Sequence, residues 1–129
     1  MAAKKCMLER ELSNHVIGAS FTVHGQVGYG FPEHIYANAL ATELQFRGIS
    51  STREVHIEYV YRGVGVGTFR LDLLVADRLI VEIKTADSIA DVHIHQVLNY
   101  LRASKLELAL LLNFGPKVSF KRLILTNRK

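Results

Sequence analysis

Five consecutive apolar residues, Leu108 to Leu112, lie toward the C-terminal end of a chain of 129 residues. A run without polar alternation is expected of a strand buried on both faces. The rest of the chain supplies patterns for elements that would cover it. Leu12, Val16, Ala19, Val23 and Val27 recur at steps of three and four, one face of a helix. Gly28-Tyr29-Gly30 ends that helix. Pro32 suits the first turn of a second helix. Its residues Tyr36, Ala37, Leu40, Ala41 and Leu44 share a mostly apolar face, and Arg47-Gly48 is a stop signal.

The period then changes to two. Val55, Ile57, Tyr59 and Tyr61 alternate with His56, Glu58 and Arg62, which predicts a strand. Gly63-Val-Gly-Val-Gly67 reads as a flexible hairpin tip, because the dinucleotide fingerprint would need a helix after its glycines. Phe69, Leu71, Leu73 and Val75 mark a second strand, and Leu79 to Lys84 a third. A helix is expected over 89–103, with Ala90, Ile94, Val97, Leu98 and Leu101 toward the core. A last strand is expected over 118–125. The order α-α-β-β-β-α-β-β predicts one mixed α/β domain over residues 1–129, a central sheet with helices packed on it. Residues 1–11 read as a loosely ordered start.

About half of the residues are apolar, enough for a single core. The lone cysteine, Cys6, allows no internal disulfide and points to a reducing, cytoplasmic setting. No stretch reaches the ~18 apolar residues of a membrane span, so no membrane partner is expected. The formal net charge of +4 inclines the chain toward an anionic partner, nucleic acid being the commonest, although many ordinary small proteins carry as much.

The segment with chemistry in it is Arg70-Leu-Asp-Leu-Leu-Val-Ala-Asp-Arg-Leu-Ile-Val-Glu-Ile-Lys84. If Ala76-Asp77-Arg78 is the hairpin loop, Val75 pairs with Leu79, Leu74 with Ile80, Leu73 with Val81, and Asp72 with Glu82. Residues directly opposite point to one face, with Cβ atoms ~5 Å apart. Glu82 and Lys84, two apart on one strand, share that face, and Ile83 points to the core. Opposed carboxylates repel, and within the most apolar hairpin of the chain they need a cation or a shared proton. Lys84 supplies one charge, and a divalent metal would supply the rest. A solvated hairpin face with a Glu–Lys contact is the plainer reading of the same spacing.

An Asp on one strand followed ten residues later by Glu-x-Lys resembles the PD-(D/E)XK nuclease superfamily, here as Asp72 and Glu82-Ile83-Lys84. Leu71 stands where the motif has its proline. Gly30-Phe-Pro-Glu33-His-Ile-Tyr36 resembles the signature of the GxxExxY proteins, and Gln96 with Tyr100 resembles the Q-x-x-x-Y of RecB-like nucleases. The likeness runs from about Ser13 to Leu125. It implies a restriction-endonuclease-like core and a nuclease using Mg2+ or Mn2+. Asp72 and Glu82 would be ligands, with the Ile83 carbonyl as an extra one and Glu33 as an outer or additional acid. Lys84 would orient the attacking water or stabilise charge on the phosphate.

His93, Gln96 and Tyr100 share a helix face and are candidates for supporting the ligands or contacting nucleic acid; an ordinary polar helix face is the alternative. Tyr36 is expected to pack against the sheet, with a supporting or nucleic-acid-contacting role as the alternative. His93 and His95 point ~200° apart on a helix, which speaks against a shared zinc. Lys117, Lys121, Arg122, Arg128 and Lys129 make the C-terminal end basic, as a solvated edge strand or a phosphate-contacting patch. Two functions fit: a metal-dependent nuclease acting on DNA or RNA, or a catalytically silent binding module that keeps the fold. A second copy or a partner protein is expected for so short a nuclease chain.

Overall fold

The computed structural model describes residues 2–126, with side chains described over 10–126. Its elements are α1 (Ala2–Val27), α2 (Glu33–Phe46), β1 (Ser51–Tyr61), β2 (Val64–Val75), β3 (Leu79–Lys84), α3 (Asp91–Ser104), β4 (Leu108–Phe114) and β5 (Val118–Ile124). The order is the one expected. The loose start expected for residues 1–11 falls mostly on side chains outside the described residues, as does Cys6; the α1 backbone is helical from Ala2.

The five strands stand in the sheet in chain order, β1-β2-β3-β4-β5. Only β3 and β4 run parallel, as a connection through α3 requires. All seven residues of β4 are buried. Its even residues Leu108, Leu110 and Leu112 pack under α1 and α2, and Ala109 and Leu111 pack under α3. Covering layers on both faces are what the unbroken apolar run demands. α1 turns Val16, Ala19 and Val23 inward, and α2 turns Tyr36, Ala37, Leu40 and Leu44 inward, all of them buried.

Local differences from expectation have local causes. Pro32 is the N-cap of α2, one position before the first turn, with ψ at 157° keeping it extended. α3 starts at Asp91, so Ala90 is its exposed N-cap and not a core residue. The β1–β2 turn is Arg62-Gly63, both with positive φ (51° and 79°), the conformation that two-residue hairpins prefer. Gly65 and Gly67 therefore belong to β2 and not to the tip.

The hairpin carrying the acidic residues has the expected register as far as it is laddered: Val75 with Leu79, Leu74 with Ile80, Leu73 with Val81. Ala76 and Asp77 take left-handed φ values of 52° and 56°, and the Arg78 N–H donates to the Val75 carbonyl at 3.0 Å to close the turn.

Candidate active site

The ladder between β2 and β3 stops at Leu73–Val81, so Asp72 and Glu82 do not form the expected rung. Across β2, Glu54 on β1 takes a φ of 57° between the pairs Arg53–Leu73 and Val55–Leu71. A left-handed residue within a strand bends it and disturbs its alternation. The effect is visible on β2: Leu73 packs under α1 and α2 while Leu71, two residues away, packs under α3. The strand turns over at Asp72 and leaves β3.

Asp72 fills the gap that results. Its Oδ2 accepts a hydrogen bond from the Ile83 amide at 2.8 Å, in place of a β2 carbonyl. The Ile83 carbonyl points to the same edge, because a residue in an extended strand directs both backbone groups to one neighbour. Arg53 fixes the bend from the far side, donating to the Asp72 carbonyl at 2.6 Å and to Asn38 Oδ1 at 2.9 Å.

Glu82 is 5% exposed, and its Oε1 has no hydrogen-bond partner. Burial raises its pKa from 4.5 to about 8, the Asp72 charge adds to this, and Glu33 adds a little more. Lys84 and the Asp72 backbone N–H act the other way. The Lys84 ammonium lies 4.0 Å from Glu82 Oε2, the half-made contact of two residues on one strand face. A buried carboxylate with an unpaired oxygen beside a second carboxylate is a site short of positive charge.

Tyr100 reaches this pair from α3. Its ring stacks on Phe69 of β2 at 4.6 Å between centroids and 11° between planes. Burial raises its pKa, and Glu82 and Asp72 follow as causes, which puts its hydroxyl within their field. Glu33, exposed at the start of α2, lines a small cleft with Asp72, His34, Arg53, Glu54 and Arg70. Among the described residues no three His, Cys, Asp or Glu side chains converge closely enough to hold an ion. Glu33 shares this cleft with Asp72, and its charge is felt at Glu82. The donor set beside Ile83, two carboxylates and a carbonyl with one orphaned oxygen, suits a hard divalent cation that keeps several waters.

The profile of the PD-(D/E)XK nuclease superfamily matches residues 10–123. The chain belongs to the PD-(D/E)XK nuclease superfamily. Nucleases of this superfamily generally use divalent metals. No curated protein is similar enough to match. Among solved structures, SSO0001 superposes with a TM-score of 0.54 at 20% identity, covering 73% of this chain and 50% of that one. The chain thus spans about half the length of SSO0001. Hjc, a Holliday junction resolvase from the archaeal hyperthermophile Archaeoglobus fulgidus, gives a TM-score of 0.42 at 18% identity, covering 69% of this chain and 72% of its own.

Other singled-out residues of this PD-(D/E)XK domain divide between site and scaffold. Tyr36 is fully buried, stacks on Phe114 at 4.7 Å, donates its hydroxyl proton to the Gly28 carbonyl and accepts from the Phe31 N–H at 3.3 Å. It is a packing residue that ties down the loop before α2. His93 uses Nδ1 to accept the Ala90 N–H at 3.1 Å, a cap on the start of α3. Gln96 is half-buried one turn before Tyr100. Lys117 and Lys121 are exposed, whereas Arg122 is tied to Ser13 at 3.1 Å and to Asn14 of α1. Arg128 and Lys129 lie outside the described residues. Asn113, not singled out in the sequence, brackets the segment after Lys84 by pairing with both the N–H and the carbonyl of Ala86 at 2.9 Å. No described helix is long and apolar enough to cross a membrane.

Proposed function

We propose that this chain is a metal-dependent nuclease of the GxxExxY type, hydrolysing phosphodiester bonds of DNA or RNA in the cytoplasm. The observation that carries the reading is the orphaned oxygen of buried Glu82 beside Asp72, at the point where β2 leaves β3. Asp72 through the oxygen not engaged by Ile83, Glu82, and the Ile83 carbonyl would hold magnesium or manganese. Bound there, such an ion acidifies a water and neutralises charge on the phosphate. Lys84 would supply an ammonium on the same strand face to stabilise negative charge that grows on the phosphate as the bond breaks. Tyr100, whose hydroxyl feels both carboxylates, would donate its hydroxyl hydrogen to a phosphate oxygen. Glu33, which lines the same cleft as Asp72, would act as an outer or additional acidic ligand.

The test is cleavage of labelled single- and double-stranded DNA and RNA with magnesium, manganese or chelator. Wild type is expected to cut with metal and not with chelator, and Glu82→Ala is expected to lose cleavage and metal binding together. Cleavage that persists in Glu82→Ala, in protein from separate preparations, would end the hydrolase reading. Magnesium binding without cleavage of any substrate would move the silent binding module ahead of it.

A further inference from the structure

A groove of about 650 Å³ lies between β1 and the C-terminal end of α3, lined by Glu58, Tyr59, Val60, Asn99, Arg102, Ala103 and Lys105. We propose that this groove seats a single-stranded nucleic-acid segment flanking the cleavage site, with a base stacked on Tyr59 and phosphates held by Arg102 and Lys105. The inference rests on the nuclease reading above and extends it to how the substrate is held.

The groove is built on the sheet face that α3 covers. Val55 and Ile57 pack under α3, and Tyr59 continues their alternation. Tyr59 is nonetheless 49% exposed. Its partner across the ladder is Gly67, so no side chain covers the ring from β2. A Cβ placed on Gly67 would meet nothing within 4 Å, so the position opposite Tyr59 is open. An exposed aromatic face next to open space is a platform for an unstacked base.

The opposite wall is cationic. Arg102 and Lys105 are exposed on the last turn and cap of α3, and Arg102 is braced by Asn99 Oδ1 at 2.9 Å. Glu58 is the one acidic residue of the lining, and its carboxylate lies over Gly65. The same helix carries Tyr100, which stacks on Phe69 of β2. Ala103 of the groove lies three residues, about one helical turn, beyond Tyr100 on α3, so a strand lying in the groove would run toward the candidate site. A duplex keeps its bases stacked inside and offers no ring to Tyr59, so the features select a single strand.

The experiment is fluorescence anisotropy of the full chain with a labelled single-stranded DNA oligonucleotide, in chelator so that nothing is cut. Tyr59→Ala should weaken single-strand binding by about 5- to 140-fold, and Tyr59→Phe should retain it. Lys105→Gly should also weaken binding without harm to the fold, because Lys105 has a φ of 65°, which glycine adopts freely. Gly67→Leu should fill the space beside the ring and weaken binding as well. Duplex binding should be nearly unchanged by Tyr59→Ala. Single-strand affinity equal to wild type in both Tyr59→Ala and Lys105→Gly would overturn the proposal, as would a wild type that binds only duplex. Strand binding by the groove without cleavage in metal would sink the nuclease reading alone. Cleavage with no effect of the groove variants on single-strand affinity would sink the groove alone.

Discussion

Asp72 takes the place of a sheet carbonyl for Ile83, with its Oδ2 2.8 Å from the Ile83 amide, one residue beyond the last rung of the β2–β3 ladder. One carboxylate therefore serves the fold and faces the candidate metal site at once, and the two duties separate under substitution.

Asp72→Asn keeps an oxygen for the Ile83 amide and removes the charge that opposes Glu82. Its metal-free stability should equal or exceed that of wild type. Asp72→Ala leaves a sheet amide unpaired and should cost about 1–3 kcal/mol. Both should lose the stabilisation that magnesium gives to a folded state that binds it. Urea melts with chelator and with magnesium decide this; a large metal-free loss in Asp72→Asn would make the charge itself structural.

Glu82 makes the metal-free protein sensitive to pH. Its folded pKa, about 8, is raised above the ordinary 4.5, chiefly by burial. The folded state then holds a proton that the unfolded chain releases, so the contribution is complete below about 4.5 and is lost as pH rises through about 8. Stability in chelator should fall across that window. Glu82→Gln should flatten the decline, and an equally steep decline in Glu82→Gln would assign the dependence to another group.

Lys84→Ala should reduce turnover by about 10²- to 10³-fold, the range for removing one preorganised charge-stabilising donor. Substrate affinity should change far less, since the ammonium acts where charge develops. Glu33→Ala should give a smaller loss. Single-turnover cleavage beside equilibrium binding separates the two; equal losses in both for Lys84→Ala would reduce the lysine to a binding contact.

Tyr36→Phe should destabilise the fold by about 1–3 kcal/mol, because its hydroxyl satisfies the Gly28 carbonyl and the Phe31 N–H at once. Cleavage per folded molecule should stay near wild type. A selective loss of cleavage with unchanged stability would return Tyr36 to the chemistry.

The order of elements was legible because apolar period and turn residues agreed along the whole chain. The hairpin register followed from the symmetry of the apolar pattern about Asp77, and three of its four expected rungs are present. The fourth was not readable, since its loss depends on a left-handed φ at Glu54, a residue type that gives no warning of it, on a strand eighteen residues earlier in the chain. The packing of Tyr36 follows from its place on the apolar face of α2, where it is fully buried. The bond from the Ala90 N–H to His93 was not legible, because a side-chain cap of this kind is a three-dimensional arrangement with no required sequence pattern. The groove beside Tyr59 was invisible for a different reason: its two walls lie some forty residues apart in sequence, and its defining feature is the side chain that Gly67 lacks.

The chain-order arrangement of the strands bears on how the site comes together during folding. Every sheet pairing except β3–β4 joins neighbours through a short connection, and short loops are the quickest to close. Asp72, Glu82 and Lys84 sit on the two arms of one such local unit, joined by the turn at Ala76–Arg78. The triad can thus meet before α3 and its parallel crossover dock, whereas Tyr100 and the Tyr59 groove arrive only with that slower, longer-range step. Their late arrival makes α3 docking the event that turns a charged hairpin into a closed site, and amide exchange in refolding should show β2–β3 protected ahead of α3.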